Sequence, residues 1–151
     1  MSSALLDHAG IEALIPQRGA MCLLDRLSHI DEAGITCTAT SHRDAANPLR
    51  SASGLLAPCA IEYAAQAMAL HGAWRSRAAG TPPTPGYLAS VRGVRLHRLR
   101  LDDLDGELRI EARREAGNAQ QVLYSFVVEH RGARLVEGRA TVVLDTPLGP
   151  P

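Results

Sequence analysis

The sequence predicts an α+β fold in which an antiparallel sheet curls around one long central helix. Three observations point to it. The run from Leu56 to Ala73 is small or apolar at almost every position and lacks the continuous polar face of a surface helix. Around it lie several segments of strand-like composition, separated by turn residues. The chain has 151 residues, 46% of them hydrophobic and 21% charged, which is enough for one core, and no shift in composition divides it. Residues 1–151 therefore read as a single domain.

Taken in order, a short helix is expected over Leu5–Leu14, ending before Pro16 because the residue ahead of a proline disfavours helical geometry. Met21–Ile30 and Ile35–His42 read as strands joined through the turn residues Asp31-Glu32-Ala33-Gly34. Arg43–Ala57 breaks into Ala, Asn, Pro, Ser and Gly, a long loop of the kind that is often functional in a compact domain. Pro58 suits the first turn of the central helix, where its missing N–H costs nothing. From Pro58 to Ser76 that helix would run about 28 Å. A Pro-rich connector, Ala78–Gly86, follows it.

Four further strands are expected: Tyr87–Leu101, Glu107–Ala116, Gln120–His130 and Arg134–Leu144, with Gly117-Asn118 and Gly132-Ala133 at turns. Val122, Tyr124, Phe126 and Val128 alternate as residues on the buried face of a strand do. Val94 and Leu96 fall on one parity and Leu99 and Leu101 on the other, so a bulge is expected between them. Thr146–Pro151 reads as a loose tail.

Charge and composition exclude several functions. The 16 basic residues, all Arg, balance 16 acidic ones, and there are only 5 aromatic residues, so neither the field nor the stacking surfaces of a nucleic-acid binder are present. The central segment is not a membrane span: Pro58, Glu62, Gln66 and His71 fall inside it, and an acidic residue near the bilayer centre costs roughly 2.5–3.5 kcal/mol. Met1–Leu14 lacks the basic start of a secretory signal and carries Asp7 and Glu12, so a cytoplasmic location is expected. Cys22, Cys37 and Cys59 are too few and too scattered for a disulfide framework or a zinc site, and the six histidines show no metal-ligand spacing. No metal is expected. Phosphate-binding glycine loops and a serine-nucleophile elbow are absent too.

What remains is Glu62, a carboxylate on a helix whose neighbours are apolar. Burial there would raise its pKa toward the range of a general acid or base. Gln66 lies one turn later on the same face and is placed to bind the same ligand or to hold the carboxylate. The alternative for Glu62 is an edge position that reaches water.

Two segments extend this reading. Ile15–Leu27, IPQRGAMCLLDRL, is similar to the L-P-H-R-x-x-x-L-L-[VIL]-D-R-[VI] strand of the beta-hydroxyacyl-acyl carrier protein dehydratases, with Pro16, Arg18, Leu23, Asp25 and Arg26 in register. Ile61–Ala67, IEYAAQA, resembles the E-x-M-A-Q-A run on their central helix. The two segments resemble in particular the family's divergent relatives from aryl polyene and xanthomonadin-type pathways, and their order and separation make the pair more specific than either alone.

The resemblance implies the hot-dog fold and a dimer or higher oligomer, with the active site between subunits and Glu62 as the helix carboxylate. It also implies that no cofactor is needed, because the 3-hydroxyacyl substrate arrives on the phosphopantetheine of an acyl carrier protein. The amide that polarises the thioester carbonyl maps to Ala57, next to Pro58, where Leu56-Ala57 replaces the usual Pro-Gly. The family's catalytic histidine lies 14 residues before the carboxylate, which here is Pro48, beside Asn47. No His occurs from Arg43 to Ala57; His42 is the nearest imidazole.

Catalytic roles are thus expected for Glu62, Gln66 and His42, and substrate contacts for Ala57, Asn47 and Pro58. Three functions are compatible with them. One is dehydration of carrier-bound 3-hydroxyacyl chains in fatty-acid or polyene-type biosynthesis; the second is a hot-dog acyl thioesterase. The third is a catalytically impaired subunit that binds the carrier or pairs, as a heteromer, with an active homologue.

Overall fold

The computed structural model of the chain describes residues 5–144; the tail expected over Thr146–Pro151 lies outside them. The chain order is α1 (His8–Glu12), β1 (Arg26–Ile30), β2 (Gly34–Ala39), α2 (Ala60–Ala78), β3 (Gly86–Leu96), β4 (Leu108–Gly117), β5 (Gln121–His130) and β6 (Ala133–Leu144). All six strands form one sheet in the order β1-β2-β4-β5-β6-β3, antiparallel at every pairing.

Helix α2 lies against the inner face of this sheet. Ala60, Tyr63, Ala64, Ala67, Met68, Leu70 and His71 are buried, the i, i+3, i+4, i+7 spacing of one helical face. Its alanines let the backbone approach the strands closely, and each fully buried large side chain, such as Leu70, contributes about 1.5–3 kcal/mol. On the sheet side Leu108, Ile110 and Ala112 of β4 and Val122, Tyr124, Phe126 and Val128 of β5 complete the core, as their alternation predicts. Between β5 and β6, Arg131 and Gly132 both take positive φ (50° and 81°), the two-residue turn whose twist matches a hairpin.

Several expectations need correction. The helix is not apolar-buried all round. Ile61, Glu62 and Ala65 are half-buried and Ala69 and Gly72 exposed, because one sheet covers one side of a cylinder and leaves a stripe of the other side open. Residues 5–6 are not helical: Leu5 N–H donates to Leu27 O (2.8 Å) and Leu27 N–H to Leu6 O (2.9 Å), and α1 begins only after Asp7 caps it by accepting from Gly10 N–H at 2.9 Å.

The first strand starts at Arg26 instead of Met21, since Gly19–Met21 forms a 3-10 turn with Gly19 at φ 57°. The second ends at Ala39, where the Asp25 carboxylate captures both the Thr40 amide (2.6 Å) and its hydroxyl (2.7 Å) and turns the chain. The third strand does slip register, but between Leu88 and Ser90 and between Arg92 and Arg95. The parity change farther on marks its end at Leu96, after which Leu99 is 83% exposed and Leu101 enters the core.

Candidate active site

A 3-10 turn, Ala57–Cys59, runs directly into α2 and places Glu62 in the helix's first turn, where the macrodipole favours a negative charge. The burial expected of Glu62 is not reached: the residue is half-buried, on the side of α2 that the sheet leaves open. Among the described residues no cation lies within salt-bridge distance of it.

Gln66 is fully buried, and its amide is committed to the backbone. Leu23 N–H donates to Gln66 Oε1 at 2.9 Å, and Gln66 Nε2 donates to Met21 O at 2.7 Å. The same Nε2 reaches Glu62 Oε1 at 3.3 Å. Gln66 therefore joins the Ile15–Leu27 segment to the helix and steadies the carboxylate from below. These two motifs, separated in sequence, meet through this one side chain.

Asn47 is buried and is also engaged internally. Its Nδ2 donates to Ser41 O (2.9 Å) and Tyr63 Oη (3.1 Å), and its Oδ1 accepts from Leu49 N–H (2.9 Å). Tyr63 Oη also bonds Ser41 Oγ at 2.8 Å. Tyr63 is the residue that sequence reasoning missed; the signal was a large side chain with a polar tip in an alanine-rich helix. It anchors the loop that precedes α2.

Among the described residues His42 makes no hydrogen bond to Glu62. Its ring is fully buried and Nε2–H donates to Leu104 O at 2.9 Å, so Nδ1 carries the lone pair, and that atom is buried with no partner. Burial lowers its pKa, against a smaller opposing effect from the Leu104 hydrogen bond. Pro48 and Pro58 are exposed, and Pro58 lacks an amide hydrogen. Ala57 N–H donates to Leu99 O at 2.9 Å, and Cys59 N–H to Leu56 O at 3.0 Å, so both amides at the helix start bond within the chain.

The loop ahead of the helix is held by Asp102. Leu55 N–H donates to Asp102 Oδ1 at 3.0 Å, Arg100 grips both carboxylate oxygens (3.1 and 2.7 Å), and Arg50 stands 3.6 Å away. Arg100 holds the Asp102 carboxyl well below the usual carboxylate range. Gly54 (φ +97°) is required there, because a Cβ would lie 2.5 Å from Arg100 Nη2.

Neither of two hollows in the surface reaches Glu62. A hollow of about 290 Å³ lies between the Ile15–Leu27 segment and Ser41, and a trough of about 1000 Å³ crosses the outer face of the sheet. Among the described residues Glu62 makes no hydrogen bond to an imidazole, and Gln66 is its side-chain partner. Among the described residues no helix is long and apolar enough to cross a membrane.

Residues 9–147 match the family model described as ApeP-like, ApeP dehydratase. A search of curated proteins finds no match. Among solved structures the chain is similar to the dehydratase heterocomplex ApeI:P from Xenorhabdus doucetiae, with 22% identity, a TM-score of 0.81, and coverage of 90% of this chain and 91% of that chain. It is similar also to a putative thioesterase from Silicibacter sp. (13% identity, TM-score 0.63, 96% of both chains). A hypothetical thioesterase with coenzyme A from Streptococcus pneumoniae is a third (10%, TM-score 0.57, 79% of this chain and 84% of that chain). At these identities the structural likeness establishes the fold alone, which is the hot-dog fold.

Proposed function

Because the chain belongs to the ApeP-like dehydratase family, we propose that it is the carboxylate-bearing subunit of a dehydratase acting on 3-hydroxyacyl thioesters. The substrate is carried by an acyl carrier protein in aryl polyene-type synthesis, and a second hot-dog subunit supplies the imidazole. The observation that carries this reading is Glu62 itself: it lies half-buried on the uncovered side of α2, braced by Gln66 and, among the described residues, without a histidine partner.

Dehydration removes a proton from the carbon beside the thioester carbonyl; that electron pair forms the new double bond, the C–O bond at the next carbon breaks, and the departing hydroxide takes a proton and leaves as water. One positioned base and one positioned acid suffice, each contributing about 10²–10⁴-fold. Glu62 serves as the acid. In this reading the base is not His42, whose ring is buried with Nε2–H donated to Leu104 O, nor Asn47-Pro48, which stand where the family resemblance places a histidine.

A partner is also what the sheet edge calls for. β3 pairs only with β6 and presents Tyr87, Leu88, Val94 and Leu96 exposed, an edge that a second subunit would cap. The similar structure from Xenorhabdus doucetiae is described as a dehydratase heterocomplex, which supports a heteromer here.

The test is enoyl formation from a 3-hydroxyacyl carrier-protein substrate by this chain alone, by its His42→Ala variant, and after mixing with a histidine-bearing homologue from the same host. Slow turnover alone and a rise of about 10²-fold or more on mixing is expected. Fast dehydration by the lone chain would overturn the proposal, and its loss in His42→Ala would make His42 the base. Release of free acid and free thiol would make the chain a thioesterase.

A further inference from the structure

We infer that Tyr63, the residue after Glu62, is a positioning residue of the proposed dehydratase: its buried hydroxyl closes a circuit of hydrogen bonds that sets where the Glu62 carboxyl stands. The inference rests on the reading of Glu62 as the acid of that reaction. The circuit leaves α2 at Tyr63 and returns to it at Gln66 and Glu62. Tyr63 Oη bonds Ser41 Oγ at 2.8 Å, and Ser41 Oγ donates to Leu23 O at 2.8 Å. Leu23 N–H donates to Gln66 Oε1 at 2.9 Å, and Gln66 Nε2 donates to Glu62 Oε1 at 3.3 Å. Leu23 carries both halves, its carbonyl serving the Tyr63 side and its amide the Gln66 side.

Counting hydrogens assigns the direction of each bond. The one hydroxyl hydrogen of Ser41 is spent on Leu23 O, since a carbonyl only accepts, so Tyr63 Oη–H is the donor to Ser41 Oγ. Asn47 Oδ1 accepts from Leu49 N–H, which fixes the orientation of its amide and makes Nδ2 the donor to Tyr63 Oη at 3.1 Å. The chain therefore runs one way, from Asn47 to Tyr63 to Ser41 to Leu23, and successive bonds polarise one another. Burial raises the Tyr63 phenol above its ordinary value, against smaller lowering by the bonds to Ser41 and Asn47, so the hydroxyl keeps the hydrogen that the chain needs. Fully buried and with that hydrogen spent, Tyr63 is not itself the acid or the base. The Gln66 amide is oriented in the same way, by Leu23 N–H and by Met21 O at 2.7 Å, so Glu62 Oε1 faces an N–H and accepts. The proton that Glu62 delivers as an acid is then carried on Oε2.

Packing alone does not ask for this hydroxyl, because phenylalanine fills nearly the same volume and leaves no buried alcohol to satisfy. The chain's other buried tyrosine makes the comparison. Tyr124 bonds His71 Nδ1 at 2.8 Å, and His71 lies about 14 Å along the helix from Glu62. Both hydroxyls tie α2 to distant segments, but only the Tyr63 circuit contains the carboxylate.

The experiment compares Tyr63→Phe with Tyr124→Phe. Each removes a buried hydroxyl, so each should lower the melting temperature; only Tyr63→Phe opens the circuit. Two readouts are taken well below unfolding, where lost stability alone changes neither. In the intact chain with its glutamate carboxyl carbons isotope-labelled for NMR, the Glu62 resonance is the one missing in Glu62→Gln. It should shift in Tyr63→Phe and stay in place in Tyr124→Phe. In the assembly with the histidine-bearing homologue, Tyr63→Phe should lower kcat by about tenfold or more with KM unchanged, and Tyr124→Phe should leave kcat as it was. Ser41→Ala should reproduce the Tyr63→Phe effect without adding to it in the double variant, as members of one network do. An unmoved Glu62 resonance, an unchanged kcat, or equal effects of the two Phe variants would each overturn the inference. An inactive parent assembly would instead defeat the proposed reaction, and the resonance would then decide the role of Tyr63.

Discussion

Gln66 shows how one side chain can serve structure and site together. Its carboxamide closes two hydrogen bonds to the backbone of Met21 and Leu23, and these would be orphaned in the core without it. We expect Gln66→Leu to lower folding stability by about 1–3 kcal/mol for each buried group left unpaired, measured as a shift of the urea midpoint at constant slope. An unchanged midpoint would show that water replaces the amide. Glu62 is the opposite case: half-exposed and bonded only through Gln66 at 3.3 Å, it contributes little to the fold. Glu62→Gln should therefore leave the melting temperature unchanged while reducing enoyl formation in the active assembly by about 10²–10⁴-fold. Retained turnover would remove Glu62 from the chemistry.

At the level of the element, α2 is tied to the sheet by a buried imidazole. His71 Nε2–H donates to Asp31 O at 2.7 Å, which leaves Nδ1 to accept from Tyr124 Oη–H at 2.8 Å. The Tyr124 bond requires the neutral ring, and burial lowers the His71 pKa against a smaller opposing effect of the Asp31 hydrogen bond; burial lowers His42 too. The unfolded chain takes up these protons near the ordinary value of 6.5, while the folded chain resists them until lower pH. Stability is thus fully present above about 6.5 and declines as pH falls below it, because the unfolded state then binds more protons. We expect the urea midpoint to drop between about pH 7 and pH 5.5, and the drop to be shallower in His71→Gln. A flat profile in the parent chain would show that the imidazoles are already charged or are not buried. The Cys37 thiol, pushed up to about 12 by burial, should resist alkylation in the native state and react on denaturation.

For the whole molecule, the decisive feature is a sheet with one covered face, one charged face and an unpaired edge. β3 offers its backbone donors and acceptors together with exposed Leu88 (40%) and Val94 (37%). Beside it α2 leaves the stripe of Ile61, Ala65, Ala69 and Gly72 open to a neighbour. A stable monomer would keep all of this in water. We expect light scattering to report a dimer at micromolar concentration, alone or with the second subunit, and Val94→Lys to shift it toward monomer. An assembly that tolerates Val94→Lys would place the interface elsewhere. If the edge is the interface and a second subunit supplies the base, loss of assembly and loss of dehydration should appear together.

Local pattern was enough for much of this. The alternation of Val122, Tyr124, Phe126 and Val128 and the small, apolar run of α2 determined the antiparallel sheet, the single long helix and their contact, because period and burial follow directly from side-chain direction. The two motifs around Arg18 and Glu62 determined the family. What the sequence could not decide was where each polar side chain spends its hydrogen bonds. Asn47 and His42 are good catalytic residue types near the right place, but Tyr63, Ser41 and Leu104, brought there from distant segments, claim them. The Ala57 amide is likewise bound by Leu99, and only the folded chain shows that Arg98 and Arg100 pair with Asp103 and Asp102 while, among the described residues, Arg92, Arg113 and Arg139 have no carboxylate within salt-bridge distance. The exposure of Glu62 is decided at the same level. Periodicity reports how apolar a helix is all round, but a single sheet covers only one of its sides, and only the tertiary structure shows that Glu62 lies on the side left open.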